Sequence, residues 1–277
     1  MIGVFKQKGG RYSMRVVLLI MSVIAIVGNI LLYVDYNLIS RAPQKDYPPP
    51  PSLPRVDPGY LTNGTAIFRA TAMSQSPTTD KVTTHTYEIM YGTNLLPYYY
   101  LHPEMKMLEI GLGCNMKYGP GASVNLWKLL FPEADLWEAE FDRHCVKKSK
   151  AKGELEGLNI LVGDQGDPKV LDEWIQQSGG EFDVIIDDGG HIQCQIWTSF
   201  EKLWPTVKPG GVYFIEDLQV AKSRNYIKSS PTCDGSNLIV PNKLKESLDR
   251  LMYYKPRKGD VEFLFCQPEA CVLKKRE

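Results

Sequence analysis

The sequence lacks the cysteine patterns of structural zinc sites. It contains no CxxC pair, and its cysteines show no zinc-ligand spacing with histidine. The six cysteines are Cys114, Cys145, Cys194, Cys233, Cys266 and Cys271. Their even number fits disulfides in a secretory lumen, but scattered buried thiols of a cytosolic enzyme would give the same sequence. Their redox state is therefore left open.

A net charge is also lacking, because 32 lysines and arginines balance 32 aspartates and glutamates. Without a basic excess, no overall field attracts a polyanion, so nucleic-acid binding is not expected. No internal repeat is evident. With 277 residues, 43% of them hydrophobic, the chain can form one full α/β domain with an appendage, but not two enzymatic domains. We therefore expect one catalytic core.

One segment, residues 16–34, has no charged side chain and is almost entirely apolar. A helix of that length spans a hydrocarbon core of roughly 30 Å. The run is longer than the roughly 7–15 apolar residues of a signal peptide, and no small-x-small cleavage site follows it, which favours an uncleaved transmembrane anchor over a signal peptide. The preceding tail, residues 1–15, is basic. The positive-inside rule then predicts a single-pass type II protein of the secretory pathway with a lumenal catalytic domain.

A proline-rich stalk or linker is predicted over residues 35–79, because prolines cluster between positions 41 and 58 and cannot sustain a helix or a central strand. Asn63 begins an Asn-Gly-Thr triplet, which would be a glycosylation acceptor on the lumenal side and would make the chain a glycoprotein. The catalytic domain is predicted over residues 80–277. Its first segment, residues 80–91, is expected to be a helix.

Strand-like and helix-like segments alternate from about position 105. Apolar strands are predicted at 107–110, 135–141, 158–162, 182–186 and 211–215, with helices at 123–131, 168–177 and 192–204. Residues 261–266 and 270–274 form two further strands around a short turn. This order predicts an α/β fold: a Rossmann-like, doubly wound, mostly parallel sheet ending in an antiparallel β-hairpin, preceded by one N-terminal transmembrane helix.

A glycine turn follows the first predicted strand in Glu109-Ile110-Gly111-Leu112-Gly113. A dinucleotide fingerprint would need a glycine at position 116, where Met116 stands. The turn resembles the ExGxG motif of S-adenosylmethionine-dependent methyltransferases. That resemblance implies that Glu109, Gly111 and Gly113 face the methionine part of the cofactor. The cofactor-binding set implied in the same loop also includes Gly121 and Ser123.

Acids at the ends of the next two predicted strands complete the expected cofactor site. Glu140 is placed to bind the ribose hydroxyls, because two vicinal hydroxyls match the two oxygens of one carboxylate. Asp142 is its competitor, and a merely solvated strand end is the alternative. Asp164 resembles the adenine-contacting acid of the same methyltransferases.

Two neighbouring strands end in further carboxylates. One runs into Asp187-Asp188-Gly189-Gly190-His191, and the next ends in Glu216-Asp217. Charges at the end of an apolar strand are costly unless something binds them. Three carboxylates without cysteine suit a hard cation, with magnesium the first candidate and manganese the second.

The DDGxH and ED motifs resemble those of the macrocin- and mycinamicin-type sugar O-methyltransferases, within the class I S-adenosylmethionine-dependent enzymes. The resemblance implies that Asp188, Glu216 and Asp217 hold the metal and that His191 is the general base. Taken alone, His191 would be interpreted as a loop histidine whose hydrogen bonds are satisfied. Asp187 is assigned a supporting role and grouped with the cofactor-binding residues.

The predicted function is therefore an S-adenosylmethionine-dependent, magnesium-dependent O-methyltransferase. Its acceptor would be a hydroxyl of a glycan, another sugar-containing molecule or a small metabolite. One alternative is a catalytically inactive, membrane-tethered binding or scaffold protein on the same fold. A nicotinamide-dependent oxidoreductase is disfavoured by Met116 and by the lack of an obvious Tyr-x-x-x-Lys pair. The sequence predicts no oligomeric state.

Overall fold

The computed structural model of the protein describes residues 56–235, 237–255 and 257–277. The predicted tail, the predicted anchor over 16–34 and the first part of the predicted stalk lie outside these residues. Within them, no helix has both the length and the apolar composition needed to cross a membrane. The longest described helices have 14 residues, roughly 21 Å against a hydrocarbon core of roughly 30 Å. For the described residues, this finding corrects the predicted localisation as a single-pass membrane protein with a lumenal domain.

A seven-stranded sheet forms the centre of the described fold, in the order β3-β2-β1-β4-β5-β7-β6. The strands are β1 Lys106–Ile110, β2 Asp135–Glu140, β3 Asn159–Val162, β4 Phe182–Asp187, β5 Val207–Ile215, β6 Val261–Gln267 and β7 Ala270–Lys275. Strands β1 to β5 pair in parallel, and β7 pairs antiparallel with both β5 and β6. The predicted Rossmann-like sheet with its antiparallel hairpin is confirmed.

Helices precede the sheet and connect its strands. They are α1 Gly59–Thr62, α2 Gly64–Met73, α3 Glu88–Leu101, α4 Ala122–Leu130, α5 Arg143–Ala151, α6 Pro168–Ser178, α7 Gln193–Leu203 and α8 Val240–Tyr253, with short 3-10 helices at Trp204–Thr206 and Leu218–Lys222. Local sequence explains some of the boundaries. Asp167 caps α6 by accepting a hydrogen bond from the Lys169 N–H, Pro168 opens the helix, and Gly179 ends it with φ of 78°.

Residues 59–73, predicted as part of the stalk, instead form α1 and α2 and pack against α3. Gly64 of α2 and Gly92 of α3 allow this contact, because a Cβ on either glycine would collide with the backbone of the other helix. Phe68 is fully buried and stacks on Tyr91 with ring centroids 5.2 Å apart. The predicted stalk extended too far along the chain, because the segment has no strong helical pattern of its own and follows a proline-rich stretch.

The helix predicted over 80–91 starts only at Glu88. The preceding residues form a turn in which the Asp80 carbonyl accepts hydrogen bonds from the N–H groups of residues 83, 84 and 85. Val82, Thr83 and Thr84 are β-branched residues with low helix propensity. Lys81 and Tyr87, on either side of the exposed Thr83 and Thr84, are at most 1% exposed.

The core lies on both faces of the sheet. Strand β4 is buried at all of its positions, with Ile186 packed in one hydrophobic layer and Ile185 in the other. Tyr213 and Phe214 of β5 divide between the layers in the same way. Because both faces are covered, polar chemistry is confined to the strand ends and the loops that follow them.

All six cysteines are paired in the structure. The disulfides join Cys114 to Cys145, Cys194 to Cys233, and Cys266 to Cys271. The first ties the loop after β1 to α5, and the second ties the start of α7 to the segment before α8. Two disulfides therefore fasten loops near the carboxyl ends of the parallel strands.

Candidate functional site

The loop after β1 passes very close to the loop after β4. Gly111 has φ of 111°, and a Cβ at this position would collide with the carbonyl oxygen of Asp188. The Asp188 N–H in turn donates to the Ile110 carbonyl at 2.9 Å. Glycine is therefore required by both the backbone conformation and the close approach. This contact joins the glycine turn directly to the predicted metal-binding segment.

A cavity of about 570 Å³ opens above these strand ends. Its volume is typical of sites for small molecules and cofactors. The predicted site residues that line it are Gly111, Gly113, Gly121, Ser123, Glu140, Asp164, Asp188, His191 and Asp217. The structure therefore brings most of the predicted cofactor residues together with the predicted base and two of the predicted metal ligands.

Glu109 lies below this cavity and is fully buried. Its carboxylate accepts hydrogen bonds from the Ser123 hydroxyl at 2.7 Å and the Trp127 indole N–H at 2.9 Å. Burial raises the pKa of Glu109, and the nearby Lys81 ammonium counteracts that effect. In this position Glu109 orients a residue of the cavity wall and does not itself line the cavity.

Asp187 is also buried beneath the cavity, at 1% exposure. It accepts hydrogen bonds from the Ser199 hydroxyl at 2.5 Å and the Gln165 amide at 2.8 Å. These contacts hold the end of β4 against α7 and the loop after β3. They fit the supporting role predicted for Asp187, and they place no part of it on the cavity wall.

The two candidate ribose acids have different tasks in the structure. Asp142 caps α5 by accepting from the N–H groups of His144 at 2.9 Å and Cys145 at 3.0 Å. Both residues line the cavity, and Glu140 accepts from the Asp142 N–H at 2.9 Å and the Cys114 N–H at 3.4 Å. Because the Asp142 carboxylate is used as a helix cap, Glu140 is the better ribose candidate.

Asp164 also lines the cavity, and its carboxylate organises the surrounding wall. One oxygen accepts from the Gly166 N–H at 2.8 Å and the Gln195 amide at 2.7 Å, and the other accepts from the Thr232 hydroxyl at 2.8 Å. Thr232 adjoins Cys233, whose disulfide to Cys194 holds this segment against α7. The sequence contained no signal for Gln195 or Thr232.

Asp188, His191 and Asp217 form a compact group at one side of the cavity. Each offers one ligand atom, and these atoms all lie within 4.8 Å of one another. His191 Nε2 lies 3.0 Å from Asp217 Oδ2. Burial alone would lower the pKa of His191, but the hydrogen bond that its ring donates to Asp217 and the charge of Asp188 raise it. Two carboxylates beside an imidazole suit a divalent cation.

The side chain of Asp217 is held from several directions. Its carboxylate accepts from the Tyr87 hydroxyl at 2.9 Å and the Gln219 amide at 2.9 Å, and His85 Nε2 lies 3.5 Å away. Despite its burial, the hydrogen bond and charge of His191 keep the pKa of Asp217 below its usual range. Asp217 is thus an oriented carboxylate, as expected of a metal ligand.

Glu216, the third predicted ligand, is 2% exposed and does not line the cavity. Both of its oxygens lie 2.8 Å from Lys81 Nζ, and the Tyr91 hydroxyl donates to one of them. Lys81 Nζ also lies 2.8 Å from Asp188 Oδ2. Sequence reasoning missed Lys81, because a lone lysine in a polar segment carries no signal that distinguishes it from a solvated side chain.

Comparisons with known proteins agree with the predicted resemblance. The demethylmacrocin O-methyltransferase of Streptomyces fradiae is 38% identical over 124 residues, covering 44% of this chain and 29% of the relative. The mycinamicin VI 2''-O-methyltransferase of Micromonospora griseorubida is 33% identical over 159 residues, covering 56% and 37%. No protein-family model matches the chain.

The fold also resembles a solved enzyme structure. The MycE methyltransferase from the mycinamycin biosynthetic pathway, in complex with Mg, SAH and mycinamycin VI, superposes with a TM-score of 0.56 at 27% identity. The match covers 70% of this chain and 49% of that chain. This chain thus spans less than half the length of each of these relatives. The predicted resemblance to the macrocin- and mycinamicin-type O-methyltransferases is thus confirmed.

Proposed function

We propose that this protein is an S-adenosylmethionine-dependent and magnesium-dependent O-methyltransferase acting on a sugar hydroxyl of a small molecule. The proposal rests on one observation: the glycine loop and the group of Asp188, His191 and Asp217 line the same cavity. The named relatives are O-methyltransferases, and the name of a further relative, 28% identical, specifies a rhamnosyl-bearing acceptor, which supports this acceptor class.

The cavity fits the predicted cofactor in size and in its polar groups. Gly111 and Gly113 let the backbone approach a ligand closely, and Glu140 offers two oxygens to a pair of ribose hydroxyls. Asp164 would face the adenine, held in place by Gln195 and Thr232. Glu109 would act indirectly, through its hydrogen bond with Ser123.

For the metal, Asp188 and Asp217 are the carboxylates that line the cavity, and Lys81 connects Glu216 to Asp188. A bound magnesium ion would lower the pKa of an acceptor hydroxyl and fix its position. Asp217 accepts a hydrogen bond from His191, so Nε2 carries a proton in this contact and Nδ1 is the nitrogen able to accept one. His191 would use Nδ1 to take the hydroxyl proton, and S-adenosylmethionine, when bound, would supply the methyl group and leave as S-adenosylhomocysteine.

The proposal is tested with the full chain, labelled S-adenosylmethionine, magnesium and a panel of glycosylated small molecules and free glycans. We expect transfer to a sugar hydroxyl that stops when a chelator is added. Binding of S-adenosylhomocysteine, measured by calorimetry, should persist in chelator. Absence of cofactor binding would contradict the proposal and favour the inactive scaffold. Transfer that continues in excess chelator would contradict the metal's role.

A further inference from the structure

Lys81 is a buried cation shared by acids from three separate strands. It is 1% exposed, and its Nζ lies 2.8 Å from Asp188 Oδ2, 2.8 Å from Glu216 Oε1 and 3.4 Å from Glu109 Oε1. Glu109 belongs to β1, whereas Asp188 follows β4 and Glu216 follows β5. One ammonium group therefore connects the floor of the cofactor cavity to the predicted metal site.

The turn that carries Lys81 is anchored at both sides of this residue. The Asp80 carbonyl accepts from three successive N–H groups, and the Lys81 carbonyl accepts from the Tyr87 N–H at 2.9 Å. The Tyr87 hydroxyl then reaches Asp217 at 2.9 Å. The ammonium also lies 5.9 Å from the centroid of the Trp127 ring. The same short segment thus contacts all three predicted metal ligands.

Charge balance explains why a lysine stands here. A buried carboxylate without a partner is strongly unfavourable, and the buried Glu109 and Glu216 converge on this point together with the partly exposed Asp188. Burial alone would lower the pKa of Lys81, but the charges of Asp188 and Glu216 raise it well above its usual value. Its three carboxylate neighbours, at 2.8 to 3.4 Å, favour the charged form of the side chain.

We propose that Lys81 is a positioning residue whose ammonium group is the fixed counter-ion of Asp188 and Glu216. It holds both carboxylates in place at the metal site and ties them to Glu109 beneath the cofactor loop. That these acids bind a metal depends on the proposed function. The counter-ion role of Lys81 does not, because it follows from contacts among side chains alone.

The counter-ion role is tested by thermal unfolding of the full chain in chelator. Lys81→Met keeps the length of the side chain and removes its charge. It should lower Tm by roughly 6–20 °C, the effect of breaking a buried ion pair in a domain of this size. Adding Glu216→Gln removes one of the carboxylates that Lys81→Met leaves without this counter-ion. The double variant should therefore unfold at a higher temperature than Lys81→Met alone.

Lys208 provides a matched control, because its Nζ lies 2.7 Å from Asp183 at the opposite end of β4. Lys208 is 39% exposed, so Lys208→Met should lower Tm less, and Glu216→Gln should not offset that loss. Lys81→Arg retains the charge and should lose less stability than Lys81→Met. If Lys81→Met gives no folded protein, Lys81→Arg can still be compared with the wild type.

Magnesium distinguishes a counter-ion from a residue that merely fills space. Saturating magnesium should raise the Tm of Lys81→Met by more than it raises that of the wild type, because the ion supplies the missing positive charge. If magnesium stabilises the wild type, an equal or smaller gain for Lys81→Met would overturn the proposal, as would a double variant no more stable than Lys81→Met. If magnesium changes the Tm of neither protein, the proposed metal site is wrong. The Tm values of the variants in chelator still test the role of Lys81.

Discussion

Aspartates stand at both ends of β4, yet their surroundings differ. At the start of the strand, Asp183 accepts from the Tyr98 hydroxyl, the Lys106 N–H and the Lys208 ammonium, at distances of 2.7 to 3.1 Å. At the other end, Asp188 and Glu216 share the single ammonium of Lys81. One aspartate is satisfied by the protein alone, whereas the acids at the far end retain an excess of negative charge that suits a cation.

The largest difference between the two ends should appear in catalysis. His191→Ala should reduce kcat by about 10²–10⁴-fold, the usual cost of losing a general base. Binding of S-adenosylhomocysteine should change little, because the other cavity walls remain. His102→Ala, at an exposed histidine after α3, serves as the control and should leave kcat unchanged. A near-wild-type rate for His191→Ala would remove the proposed base.

Removing the disulfides should show how strongly the loops beside the cavity depend on cross-links. The Cys114–Cys145 and Cys194–Cys233 pairs close loops with sequence separations of 31 and 39, against 5 for Cys266–Cys271. The loop-entropy relation gives about 4 kcal/mol for each long loop and about 2 kcal/mol for the short one.

Paired Cys→Ser variants and denaturant unfolding measure this order. The two long-loop variants should also bind S-adenosylhomocysteine more weakly than the Cys266→Ser/Cys271→Ser control, since their loops line the cavity. If the control variant loses as much cofactor affinity as the others, the disulfides have no specific role at the site.

The metal ligands should differ among themselves. Asp217→Asn should weaken magnesium binding by roughly 10–100-fold, because mutating residues that only hydrogen-bond to metal ligands already lowers metal affinity by that factor. Glu216→Gln should weaken it less, because Glu216 contacts Lys81 and does not line the cavity. Calorimetric titration with magnesium measures both, and Asp183→Asn is the control at the other end of β4. A larger loss for Glu216→Gln would show that Glu216 turns toward the ion.

The smallest expected effect is the pH dependence of His191. Its pKa is raised in the folded protein, so the protonated ring stabilises the fold at low pH. This contribution is present below the unfolded pKa of about 6.5 and is lost as pH rises through the folded value. In chelator, His191→Ala should therefore cost more stability at pH 6 than at pH 9. A pH-independent difference in the free energy of unfolding would contradict the charged contact with Asp217.

Much of the site was predictable because its signals are local. The alternation of apolar strands with helices placed Glu140, Asp164, Asp188 and Asp217 after successive strands, and parallel strands bring those ends to one edge. The predicted hairpin had the same local basis. Residues 59–73 were mispredicted, since their helices are stabilised by packing against α3 and not by strong local propensity.

The sequence by itself determined which residue types stand at the strand ends, because periodicity and turn-forming glycines act over a few neighbouring positions. Only the tertiary structure decided their partners. Lys81 meets Asp188 across 107 positions and Glu216 across 135, and six cysteines allow 15 pairings that sequence cannot distinguish. Contacts at such separations depend on how the helices pack on the sheet, which no local pattern specifies.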